Sequence, residues 1–121
     1  MGAALPSGYI IHVATPADWA RGADTPHYQA GHFAAEGFHH ACTPAQVADV
    51  LGRHFSGHRL LLLLVIDPAR LVSPLRWEPA HGQDYPHVYG RINREAVTEV
   101  IPIETDSLGD FVLPEWGTDT A

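Results

Sequence analysis

The chain has 121 residues, and its 7 Lys+Arg, all of them arginine, face 14 Asp+Glu, for a formal net charge of -7 at pH 7 with 9 histidines counted as neutral. Phosphate backbones are held by clustered Lys and Arg that release counterions, so scattered arginines in an acidic chain exclude a nucleic-acid partner. The length fits one domain able to bury about two-thirds of its unfolded surface, and a single cysteine, Cys42, excludes both an intramolecular disulfide and a Cys-rich zinc site.

Residues 1–8 read as an N-terminal tail. Tyr9-Ile10-Ile11-His12-Val13-Ala14 is β-branched and aromatic enough for a strand. Thr15-Pro16-Ala17-Asp18 then starts a helix, with Thr15 as cap, Pro16 at the first helical position and Asp18 where a capping-box acid belongs. Glu36 to Cys42 is expected as a short strand. Thr43-Pro44-Ala45-Gln46 repeats the cap and proline pattern and opens a second helix to about His54, with Val47, Val50, Leu51 and Phe55 on its buried face. Arg53 and His54 lie in its last turn, where cations are favoured.

Leu60 to Ile66 is a continuous apolar run bounded by Gly57-His58-Arg59 and Asp67-Pro68, which suits a central strand buried on both faces. It is far short of the roughly 20 residues that span a bilayer, and no basic start followed by an apolar stretch opens the chain. No membrane partner is expected, and the protein reads as soluble and cytoplasmic. Short strands follow around Leu75-Arg76-Trp77-Glu78 and His87-Val88-Tyr89-Gly90. Asn93 caps a helical turn, and Val97 to Ile103 alternates as a final strand. The polar residues after Ile103 set a single α+β domain at 9–103 and a C-terminal extension at 104–121. Strands outnumber helices and βαβ alternation is absent, so the expected architecture is a split or strongly curved, mostly antiparallel sheet with two or three short helices.

His12, His40 and His87 each sit on or beside a predicted strand. By strand alternation His12 shares a face with Ile10 and Ala14, His40 with Phe38 and Cys42, and His87 with Tyr89. Each can equally be a half-buried imidazole satisfied by backbone. Trp77, Glu78 and Tyr89 add aromatic rings and a carboxylate of the kind that orient a small molecule in a pocket. Cys42 reads either as a nucleophile beside His40 and ahead of a helix N-terminus, or as a small buried hydrophobe. No metal is expected: the adjacent pair His39-His40 points to opposite faces, no His-x-x-x-His with a nearby Glu stands out, and the helix carrying His54 should end before His58.

Five segments in order, Ile11-His12-Val13-Ala14-Thr15, Glu36-Gly37-Phe38-His39-His40, Leu63 to Leu71, Arg76-Trp77-Glu78 and Pro86-His87-Val88-Tyr89-Gly90, resemble the bacterial domain of unknown function 952 family over Tyr9 to Ile103. The resemblance implies the ADP-ribosyltransferase-like fold, a split curved sheet around a nicotinamide-dinucleotide cleft. The stretch from His40 to Asp67 is also similar to the core of RNA 2′-phosphotransferases of the same superfamily. In such enzymes a first-strand histidine orients the nicotinamide ribose, which His12 matches by position, and an aromatic residue stacks on the nicotinamide. A later-strand glutamate often polarises the ribose hydroxyl; Glu78 is the only plausible acid beside a later strand here and does not align with that role.

Three functions follow from these residues. The first is an enzyme on NAD or a nucleotide-derived metabolite, with His12, His40 and His87 as ribose-binding or acid-base groups and Thr15, Phe38, Trp77 and Tyr89 as pocket walls. The second is a non-catalytic ligand-sensing or protein-interaction module that keeps the cleft. The third is a histidine acid-base enzyme on another small metabolite. A carboxylate within hydrogen-bond reach of the pocket imidazoles favours catalysis; a pocket of imidazoles and aromatics alone favours binding.

Overall fold

A computed structural model describes residues 8–114. The apolar run becomes strand β4 (Leu60–Ile66), preceded in the chain by β1 (Ile10–Ala14), β2 (His27–Tyr28) and β3 (His39–His40) and followed by β5 (Leu75–Ala80), β6 (Gln83–Val88), β7 (Ile92–Asn93) and β8 (Val97–Glu104). The helices are short: α1 (Pro16–Ala20), α2 (Phe33–Glu36) and α3 (Val47–His54), with single 3-10 turns at Pro44–Gln46, Pro68–Arg70 and Arg94–Ala96. None is long and apolar enough to cross a membrane.

As its composition requires, β4 is the centre of a three-stranded antiparallel sheet, paired with β1 on one edge and β8 on the other. A second antiparallel sheet has the order β3-β6-β5, and β2 pairs with β7. The two larger sheets meet through one bridge, in which Ile11 and Cys42 exchange backbone hydrogen bonds of 2.7 and 2.8 Å in antiparallel sense. The result is the expected mixed domain with split antiparallel sheets and few short helices.

Because side chains alternate along a strand, the central sheet separates two cores. Ile10, Ala14, Leu64 and Ile66 pack with Tyr28, Val88 and Ile92 on one face. Ile11, Val13, Leu61, Leu63 and Val65 pack with Val47 and Leu51 of α3 and with Tyr85 on the other. The second capping pattern forms as a 3-10 turn that leads into α3: the Thr43 N–H donates to Gln46 Oε1 at 2.9 Å, and Gln46 Nε2 donates on to Gln83 Oε1 and the Asp84 carbonyl of β6.

Several segments differ from the sequence expectation. The strand expected over Glu36 to Cys42 is only His39–His40 plus the Cys42 bridge, because Phe33–Glu36 forms one helical turn closed by Gly37 at φ 84°. The strand expected at His87 to Gly90 is the end of a longer one that begins at Gln83. Beyond Ile103 the chain continues in order: Thr105 bridges Phe111, and Phe111 and Leu113 pack against the second core. Residues 1–7 of the expected N-terminal tail, and residues 115–121 of the expected extension, lie outside the described residues.

Gly90 has φ 153° and its missing Cβ would stand 2.9 Å from Ser73 Cβ and closer still to Ser73 Oγ. A Gly90→Ala variant therefore meets both a backbone and a steric penalty, and we expect a loss of about 1–3 kcal/mol in urea unfolding. A loss within experimental error contradicts this packing.

Candidate functional site

A cleft of about 440 Å³ opens between α2, α3 and the β5–β6 hairpin, within the size range of small-molecule sites. Its apolar floor comes from Ile11, Val13, Val50 and Phe55, and its polar rim from His40, His87, Glu36 and His32 at one end and Arg53, His54 and His81 at the other.

Strand pairing builds the first end. His40 stands opposite His87 in the β3–β6 ladder, so both rings project from one face, 5.1 Å apart and edge to face. Phe38, two residues before His40 and on the same face, packs on His87 at 4.6 Å and stacks on Tyr89 at 5.1 Å. Glu78 of β5 reaches across: its Oε1 accepts the His87 Nδ1–H at 2.6 Å and the Tyr89 hydroxyl at 2.7 Å. Those two donors hold the Glu78 carboxyl below the usual carboxylate range, and the same carboxylate raises the Tyr89 phenol. Across the cleft mouth His40 Nε2 lies 3.0 Å from Glu36 Oε1. Burial draws the His40 imidazole below its ordinary value, and Glu36 opposes that shift.

The second end rests on a tight turn. His81 at φ 51° and Gly82 at φ 80° form the two-residue loop of the β5–β6 hairpin, a geometry with two positive φ values that glycine tolerates and a larger side chain adopts at a cost. The turn sets His81 Nδ1 3.3 Å from the Arg53 guanidinium, with the His54 ring 6.5 Å away.

His12 is on the other side of the wall. It borders the cleft, but its ring is 2% exposed and turned into the first core, where Nδ1–H donates to the His40 carbonyl at 2.6 Å and Nε2 accepts from the Tyr28 hydroxyl at 2.9 Å. Burial pushes its value down to about 3. His12 thus borders the same cleft as His40 and His87, but both its nitrogens are committed to protein partners, which corrects the expectation that it serves as a ribose-binding or acid-base group. The physical reason is register. At the bridge Cys42 shares a face with Ile11, so His40 shares it too, and His12 must face the opposite way.

His39 accompanies His12 in the core. Its Nδ1–H donates to the Gly90 carbonyl at 2.8 Å, its Nε2 accepts the Ala30 N–H at 2.9 Å, and its ring stacks on Phe33 at 4.6 Å. Burial lowers it to about 4.

The structure also separates the expected walls. Phe38 and Tyr89 pack against His87 and each other but are not among the residues that line the cleft, so the expectation that they wall it is corrected. Trp77 pairs with Pro86, on the β5 face away from Glu78, and is 50% exposed, so it does not line the cleft. The Thr15 hydroxyl is spent capping α1, where it accepts from the Asp18 N–H at 3.1 Å. Cys42 is 1% exposed within the second core, and burial pushes its thiol up to about 12, which removes the nucleophile reading. Glu36, Arg53, His81 and Tyr85 line the cleft without having been expected there; the His81-Gly82 pair between two strands could have marked the hairpin turn, but the distance of His81 to α3 is purely tertiary.

A small antiparallel α+β domain with a histidine-rich cleft is the class that fold and site define. The chain belongs to the family described as protein of unknown function DUF952, whose model matches residues 13–100. It is similar in structure to protein CC0527 from Caulobacter crescentus: the crystal structure has a TM-score of 0.78 at 24% identity, covering 87% of this chain and 94% of that one. The solution structure of the same protein has a TM-score of 0.70 at 24% identity, covering 84% and 90%. These likenesses show the fold alone. No curated protein matches.

Two outcomes follow from the buried groups. His12 and His39 stay neutral in the folded chain but titrate near 6.5 once unfolded, so above that pH neither state holds the extra protons. Below it the unfolded chain takes up protons that the folded one refuses, and stability falls by at most about 1.4 kcal/mol per pH unit for each histidine until pH nears 4 and 3. Urea unfolding from pH 7.5 to 4.5 should show this decline, shallower in His39→Gln; equal slopes refute it. Cys42, for its part, should resist iodoacetamide at neutral pH and alkylate readily only in denaturant. Rapid labelling of the folded protein would show that the thiol is not held as described.

Proposed function

We propose that the cleft binds a small phosphate-bearing metabolite, NAD or a nucleotide-derived compound, and acts on it by general acid-base chemistry centred on His87. The observation that carries this reading is the Glu78–His87 pair. A carboxylate 2.6 Å from Nδ1 fixes the proton on that nitrogen, leaving Nε2 as the basic atom of a ring that lines the cleft. Glu78 touches His87 and not the cleft, so it is a positioning residue. His40, edge-on at 5.1 Å, supplies a second imidazole for the proton to be returned or donated.

Charge supports the ligand class. In a chain of net charge -7 the cleft rim gathers Arg53 with His32, His40, His54, His81 and His87 and only one carboxylate, Glu36. Arg53 is the fixed cation of this rim, 3.6 Å from Asp49 on its own helix, and the imidazoles around it offer N–H donors that suit an anionic ligand. The Arg53 and His81 end suits a phosphate, while the apolar floor suits a ring. The buried Tyr85 hydroxyl, without a protein hydrogen-bond partner among the described residues, adds a polar group beside that floor. The ADP-ribosyltransferase-like reading belongs to this proposal and is supported by the split antiparallel sheets. Its first-strand role for His12 does not carry over, because both His12 nitrogens are engaged.

Thermal shift with NAD, ADP-ribose, AMP and inorganic phosphate at millimolar concentration, followed by chromatography of the incubated ligand, tests the reading. We expect a rise in melting temperature with at least one nucleotide, and turnover that falls about 100-fold or more in His87→Gln and in Glu78→Gln, the usual scale of a lost acid-base group. Binding that persists in both variants, with no turnover by the parent, would transfer the cleft to the ligand-sensing alternative. No shift with any of the four compounds refutes the ligand class.

A further inference from the structure

We propose that His32, Glu36 and His40 form a binding site for a zinc-class divalent cation on the wall of the cleft. The three residues are spaced four apart, but only Glu36 lies within a helix, with His32 as the N-cap of that helix and His40 on a strand. One turn of α2 sets His32 and Glu36 on the same face. Gly37, in the left-handed region at φ 84°, then ends the helix and turns the chain back, so that His40 arrives over that same face from strand β3. Both imidazoles aim Nε2 at one carboxylate oxygen: His40 lies 3.0 Å and His32 3.7 Å from Glu36 Oε1. One ligand atom from each of the three residues lies within 4.8 Å of the other two.

A tetrahedral ion with bonds of about 2.0–2.1 Å holds its ligands roughly 3.4 Å apart, so closure needs only a small inward movement. The side chains are 44–54% exposed, and that movement disturbs no core packing. The chemistry of the set narrows the ion. Two imidazoles and one carboxylate suit zinc and its neighbours in the transition series, whereas magnesium and calcium prefer all-oxygen sets. Three protein ligands leave a fourth position open, the pattern of a reactive rather than a structural zinc site. All three residues line the cleft with His87, so the open position faces the same space. Delivery of a ligand oxygen to that position rests on the acid-base reading above with His87 as the proton-handling imidazole, because a metal-bound His40 Nε2 no longer exchanges a proton. Ion binding does not rest on it.

The test is a calorimetric titration of the full chain, after chelator treatment, with Zn²⁺ and with no small molecule present. Co²⁺ serves as a visible probe of coordination number. We expect one saturable ion per chain, the intense visible absorption of four-coordinate cobalt, and no competition from Mg²⁺ or Ca²⁺. Glu36→Gln and His40→Gln should each weaken binding by more than about 100-fold, beyond what loss of an outer partner costs. Their melting temperatures should stay near that of the parent, since the residues are exposed. His58→Ala, which removes an exposed imidazole elsewhere, should bind as the parent does. Absence of saturable binding overturns the site, as does binding that survives both ligand variants. Competition by Mg²⁺ overturns the assignment of the ion class. A failed metal titration leaves the Glu78–His87 reading standing, because that reading is tested separately, by nucleotide binding and by turnover in His87→Gln and Glu78→Gln.

Discussion

Everything in this molecule that bears on function depends on one short piece of backbone pairing, the antiparallel exchange between Ile11 and Cys42 at 2.7 and 2.8 Å. It joins the β1–β4–β8 sheet to the β3–β6–β5 sheet and thereby fixes the faces on which His39, His40 and, through the β3–β6 pairing, His87 fall relative to His12. Shifting the pairing by one residue would turn the β3 side chains to the opposite face relative to β1, exchanging His40 with His39. The bridge itself is buried in the second core, with Ile11 at 0% and Cys42 at 1% exposure, so hydrophobic packing holds the register.

That register divides the imidazoles into two groups with opposite physics. His12 and His39 are enclosed with Tyr28, and each uses one nitrogen as donor and the other as acceptor. A proton added to His39 Nε2 would confront the Ala30 N–H, so the ring is held neutral by its partners as well as by desolvation. These two form the rigid back of the cleft wall. His40 and His87 emerge on the other face, each beside a carboxylate. The same residue type therefore serves as a neutral core group and as a polar cleft group, and only the partner at each nitrogen distinguishes the two.

The cleft also resolves the contrast between an acidic chain and its abundance of histidine. Acidic residues are spread over the surface, while six of the nine histidines and Arg53 border the cleft at the junction of α2, α3 and the β5–β6 hairpin. The hairpin accepts an unfavourable backbone at His81 to put that ring beside Arg53. Strain kept at the rim of a cleft, rather than relieved by glycine, agrees with a role for the side chain there.

Much of this was legible beforehand. The run Leu60 to Ile66 could only be a buried strand, the Thr-Pro patterns at 15 and 43 could only open helical turns, and the alternation of Phe38, His40 and Cys42 correctly set His40 and Phe38 on one face. Local composition determines such features because they depend on neighbours two to four residues away. What the sequence left undecided was how those faces meet. Whether His12 joins His40 depends on the partner chosen by Ile11, which is 31 residues distant; whether Trp77 or Glu78 reaches His87 depends on the β5–β6 register; and the closing of His32, Glu36 and His40 depends on a single turn at Gly37. These are long-range or cooperative choices settled by the burial of two cores at once, and only the folded chain makes them.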